Sequence, residues 1–262
     1  MKKAFTNLSA LVCGALLVGG SLLWSQKPKS QKEAEALQAI TTAKTPDDQI
    51  KAIENVLRNF ADTEYKTALL QMAIQVETQK GDYAQVLFYS ERLLEVDPKN
   101  AFALVTLAAE TARHTREFDL DKEEKLAKVD KWAHDAITAA KAMPKPRPDI
   151  PDEQWANAQK DLQAQAYEAL GMSASLRKKY DDSIAAYKQA NAVAATTDPA
   201  TWVRLGQVYL DAGKLDEAAD AFDKAVNAPN AVPQVKTIAQ AKKEEVAKKK
   251  AAGKPPEPKP NQ

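Results

Sequence analysis

Along most of the chain the apolar residues recur every three or four positions, the spacing of one face of an α-helix, and short polar or glycine-bearing breaks separate the runs. The clearest stretch begins at Pro199. Trp202, Leu205 and Tyr209 make one stripe, Ala212-Gly213-Lys214 stops the helix and turns the chain, and Ala218, Phe222 and Ala225 make a second stripe. Small alanines facing large aromatics let two antiparallel helices close into a hairpin. Gly206 has no side chain and admits a neighbouring helix closely.

The same unit recurs upstream. Tyr167, Leu170 and Gly171 repeat the first stripe, and Tyr180, Ile184, Tyr187 and Ala190 repeat the second, with Asp198-Pro199 as the break between units. Gly171 and Gly206 set a period of 35 residues. From Gly81, GDYAQVLFYSERLLEVDPKN reads as turn, helix and stop, after a helix over 65–80 that carries Leu69, Leu70, Ala73, Ile74 and Val76. Beyond Pro98, Leu104, Leu107 and Ala108 mark another first helix. Its partner over 125–143 follows a long connection, 115–124. Thr45-Pro46-Asp47-Asp48 is a helix start, with proline in the first turn and acids at the positive end; a helix over 31–42 precedes it. The pattern predicts an all-α chain of about five helix pairs, enough for a continuous core. A polar helix over 233–251 caps the last pair.

The residues of the last unit resemble a tetratricopeptide repeat. Trp202, Leu205, Gly206 and Tyr209 match its first-helix signature, and Ala218 and Phe222 match the second. The closing proline position falls on Asn230, between Pro229 and Pro233. In the unit before it, Ala174 stands in place of the aromatic and Ser183 in place of the alanine. The resemblance implies an α-solenoid that binds proteins along a concave groove lined by the first helix of each pair. Carried over by register, the groove residues are Phe102, Val105, Gln165, Glu168, Met172, Val203, Gln207 and Leu210. On that register, Met172→Glu and Leu210→Glu weaken partner binding without unfolding the chain.

The prolines of 144–151 (PKPRPDIP) make an extended linker, because a helix cannot pass through alternating prolines. This divides the chain into a degenerate repeat block at 26–143 and a second block at 152–232. Residues 252–262 form a Pro/Lys tail of disordered composition. At the other end, Lys2 and Lys3 precede the apolar stretch Leu8–Trp24, so 1–25 reads as a bacterial secretory signal or as an uncleaved anchor. Either places the remainder outside the cytoplasm, in the periplasm, free or anchored.

Charge and chemistry narrow the function. With 37 basic and 36 acidic residues the chain has no basic surplus for nucleic acid. The one cysteine, Cys13, lies in the N-terminal apolar run, which leaves no thiol chemistry elsewhere. His114 and His134 have no metal-ligand spacing, and Gly213-Lys214 lacks the rest of a phosphate loop. Asp119, Asp121, Glu123 and Glu124 lack the turn glycine of a calcium loop. No catalytic, cofactor or metal residue is expected. The sequence predicts a non-enzymatic adaptor of the cell envelope with a protein or peptide partner. An accessory subunit of an envelope enzyme or of a secretion or assembly complex is the alternative.

Overall fold

The computed structural model describes residues 27–252. The expected N-terminal signal or anchor and most of the C-terminal tail lie outside the described residues. Among the described residues the chain forms eleven α-helices and no strand. They are α1 (Gln31–Thr42), α2 (Pro46–Asn59), α3 (Lys66–Lys80), α4 (Tyr83–Val96), α5 (Ala101–His114), α6 (Lys122–Ala142), α7 (Asp152–Leu176), α8 (Tyr180–Val193), α9 (Pro199–Asp211), α10 (Leu215–Asn227) and α11 (Pro233–Ala252). None of them is long and apolar enough to cross a membrane.

Local chemistry sets the boundaries. The Ser30, Thr45, Asp82 and Asn100 side chains each accept a hydrogen bond from the backbone N–H three residues on, and Asp198 from that two on. These bonds satisfy donors that a helix start leaves unpaired. Three of the turns inside helix pairs share one closure. Asp82 N donates to Glu77 O at 3.0 Å, Lys179 N to Ala174 O at 2.9 Å and Lys214 N to Tyr209 O at 2.8 Å. Each needs a left-handed residue. Gly81 and Gly213 supply it at φ 73° and 74°; the middle turn uses Lys178 at φ 60° instead.

Consecutive helices pack on one another from α1 to α11, and α5 also meets α7, as α9 meets α11. This is an α-solenoid of five antiparallel pairs, α1/α2 to α9/α10, with α11 as a cap. Three core clusters run along it, the first centred on α1 to α4, the second on α5 to α7, and the third on α8 to α11. Leu94 packs against the first two clusters and Met172 against the last two. The core is therefore continuous.

The proline segment interrupts helix as expected, yet the helices on either side of it pack together. Val129, Ala133, Ala136 and Ile137 of α6 share the second cluster with Ala166 and Ala169 of α7. Arg177 binds Glu123 at 2.8 Å and Asp130 at 3.1 Å, and Ser173 Oγ donates to Asp130 at 2.6 Å. The segment is a connection within one solenoid. The extra length of α7 comes before its repeat signature and carries Trp155 into a buried position.

The 35-residue period holds at atomic detail. An added Cβ on Gly171 would stand 2.8 Å from the Tyr187 ring, and one on Gly206 would stand 2.7 Å from the Phe222 ring. Both rings are buried. Ser183, at the alanine position of its repeat, donates its hydroxyl to Gly171 O at 2.7 Å and is fully buried.

Candidate functional site

The first helices of the central pairs, with the end of α8, enclose a groove of about 210 Å³. On α5 the lining residues Phe102, Val105, Thr106, Ala109, Glu110 and Arg113 fall one helical turn apart and share a face. Gln71, Gln75 and Thr78 of α3 form one wall. Trp155, Ala158, Leu162, Gln165 and Glu168 of α7 form the other. Asn191 of α8, Ala194 just past its end, and Thr201 and Arg204 of α9 close the far side. The result is an apolar floor with a rim of amides, hydroxyls and charges, the usual composition of a ligand pocket.

The charged groups of the rim are paired within the protein. Glu168 accepts from the Thr201 hydroxyl and lies 3.0 Å from the Arg204 guanidinium. Burial opposes the Arg204 charge, but the fields of Glu168, Tyr187 and Asp198 prevail and raise its pKa. Glu110 pairs with Arg113 three residues along α5. Asp161 of α7 accepts from Ala195 N at 3.1 Å and so holds the α8–α9 connection. Burial raises its pKa, against the lowering effect of the Ala195 and Thr196 amides and Lys160. Asp198 caps α9. The Asn191 carboxamide differs from these, because neither its oxygen nor its nitrogen has a hydrogen-bond partner.

Half of the groove residues read from the sequence come together here. Phe102, Gln165 and Glu168 line the groove, and Val105, 2% exposed, forms part of its floor. The other four do not. Met172 bridges the second and third cores, and Val203 packs half-buried on the third. Gln207 is half-buried and donates to Asp211 at 2.7 Å. Leu210 is only 4% exposed, inside the third core. The expectation that Leu210→Glu spares the fold is therefore corrected. The cause is α11, which folds against α9 and places Val246 in the same cluster as Leu210. The cap covers a face that the register alone leaves open.

Sequence reading missed Trp155, Leu162, Asn191 and Arg204 as lining residues. Trp155 and Leu162 lie on the part of α7 that precedes the repeat signature, and Asn191 lies at the end of a second helix. None occupies a position at which the repeat pattern points to a groove.

Residues 199–228 match the tetratricopeptide repeat family model. Among solved structures, that of TTC0263, a thermophilic tetratricopeptide-repeat protein of Thermus thermophilus, is 18% identical. The match covers 81% of this chain and 97% of that one, with a TM-score of 0.54. MamA protein is 19% identical over 71% of this chain and 88% of its own, at a TM-score of 0.38. Acl4, the assembly chaperone of RpL4, is 11% identical over 84% and 98%, at 0.40. No curated protein matches the chain. The fold and its groove define a helical-repeat protein of the class that serves protein–protein interaction. Its clearest tetratricopeptide repeat is the α9/α10 pair.

Proposed function

We propose that the chain is an exported, non-catalytic scaffold of the cell envelope that holds a segment of a partner protein in the groove between α3, α5, α7 and α8. The groove carries this reading. Phe102, Val105, Trp155 and Leu162 make it apolar at the floor, and its open rim is polar. The pattern of Lys2, Lys3 and Leu8–Trp24 supports export. The test joins fractionation and intact mass with photo-crosslinking from position 165 in the native host. The protein is expected in the envelope, either full-length in the membrane or shorter by about 20–25 residues and free in the periplasm. A partner adduct at position 165 is expected to disappear in Ala158→Trp, which fills the groove while the thermal midpoint is kept. An adduct that survives this variant refutes the groove, and a cytoplasmic protein refutes export.

A second feature favours the accessory-subunit reading. In the α5–α6 connection Phe118 is 88% exposed and Leu120 is fully exposed. The loop is nonetheless fixed. Asp119 accepts from Arg116 N at 3.1 Å and pairs with Lys125 at 3.2 Å, and Glu117 pairs with Lys178 at 2.7 Å. The Arg116 amide and Lys125 hold the Asp119 carboxyl below its ordinary pKa. Two large apolar groups held outward on a fixed loop suit a second protein contact. Replacing both by Ser is expected to change the unfolding free energy by no more than about 0.5 kcal/mol, measured by urea titration. A loss of several times that would place them in the fold's own packing.

A further inference from the structure

The groove reading above leaves the chemistry of the occupant open, and the rim narrows it. Every charged side chain there is committed within the protein. Arg204 pairs with Glu168 and Arg113 with Glu110, while Asp161 and Asp198 accept from backbone amides at the ends of helices. No uncommitted guanidinium faces an incoming carboxylate, and the anions outnumber the cations, which disfavours acidic segments. Basic segments gain little, because the carboxylates already have partners. The unspent hydrogen-bonding capacity is neutral, and Asn191 holds the part of it that is shielded from water. Its carboxamide is shielded from water with both polar atoms unpaired. An enclosed amide in that state is destabilising until something pairs with it. One acceptor and two donors on a flat group match the C=O and N–H of a peptide unit.

We propose that the groove takes an uncharged, apolar stretch of extended polypeptide, with the Asn191 carboxamide turning onto the backbone amide and carbonyl of that stretch. The apolar floor anchors the side chains of the guest, and the guest's backbone relieves the unpaired amide. Recognition of this kind is insensitive to salt and largely indifferent to which apolar residues are offered.

The test uses the full chain and three sets of acetylated, amidated peptides, measured by isothermal titration. One set is built from Leu, Val, Ala, Ser and Gln; the other two carry added Glu or added Lys. The uncharged set is expected to bind at least about tenfold more tightly than either charged set. Its affinity should change by less than about twofold between 50 and 500 mM salt. Asn191→Leu, close in shape and without polar atoms, is expected to lose about tenfold in affinity, a typical cost for a lost hydrogen bond, while its thermal midpoint stays level or rises. Tighter binding of a charged set, a steep salt dependence, or unchanged affinity in Asn191→Leu overturns the inference and leaves the groove reading in place. A fall in the thermal midpoint of Asn191→Leu also overturns it, because the amide then has a structural partner. If no set binds at all, the groove reading fails with it.

Discussion

Phe222→Ala is expected to cost about 3–5 kcal/mol of stability and to reverse the sign of a second substitution, Gly206→Ala. In the parent, a Cβ at Gly206 would lie 2.7–2.9 Å from three atoms of the Phe222 ring. The ring is fully buried, so it has no free space to move into. Overpacking of this kind costs about 1–3 kcal/mol, more than the roughly 1 kcal/mol that alanine gains over glycine inside a helix. Once Phe222 is truncated, the clash is gone and the helix preference remains. Gly206→Ala should then stabilise, by up to about 1 kcal/mol. Urea titration of the parent, both single variants and the double gives the coupling directly. If Gly206→Ala has the same effect in both backgrounds, the ring contact is not what requires glycine there. The same cycle at Gly171 and Tyr187 should behave alike, since a Cβ there would lie 2.8 Å from that ring.

That contact was legible in the sequence because it is local to one helix pair. A glycine on the first helix and an aromatic on the second, repeated after 35 residues, fix which helices touch and how closely. Helix limits were legible for a similar reason. Thr45-Pro46 and Asp198-Pro199 are caps whose chemistry acts within one turn, and the helix expected over 31–42 is observed as Gln31–Thr42. The groove is built differently. Its walls come from α3, α5, α7 and α8, and Trp155 enters from a stretch of α7 with no counterpart in the other repeats. The repeat register gives the outward face of each first helix but not which faces later elements cover. The positions it points to near the centre of the solenoid, Phe102, Val105, Gln165 and Glu168, line the groove, whereas Val203 and Leu210 near its end pack on the third core.

The proline segment shows the same limit from another side. Its composition does forbid helix, and 144–151 has none. Whether two blocks separate depends instead on the facing sides of the flanking helices. Leu126, Val129, Ala133, Ala136 and Ala140 repeat at helical spacing along α6 and are all buried. A stripe of that length has to be covered, and α5 and α7 cover it together. The outcome is one continuous core, and this lets residues from both sides of the proline segment line a single groove.

Leu210→Glu is the sharpest test of where that groove ends. Leu210 sits with Ile184, Tyr187, Leu205, Phe222 and Val246, none of which offers a charge or a strong donor to a carboxylate apart from the Tyr187 hydroxyl. An unpaired carboxylate there is expected to cost about 3–5 kcal/mol and to loosen the last two helix pairs. The loss should depend on pH in a definite direction. Burial raises the folded-state pKa of such a group above its unfolded value of about 4.3. Between the two values the folded chain binds the extra proton, so stability falls as pH rises. Below the unfolded value the charge penalty is absent. What remains is the loss of leucine burial, about 1.5–3 kcal/mol. Leu210→Gln serves as the neutral reference, because native carboxylates also titrate in this range and their contribution cancels in the difference. Urea titrations of both variants at pH 7 and pH 4 should show a gap at the higher pH that narrows at the lower. A Glu variant as stable as the Gln variant at both values would mean that Leu210 faces water. The α9 face would then belong to the binding groove, and α11 would not be its cover.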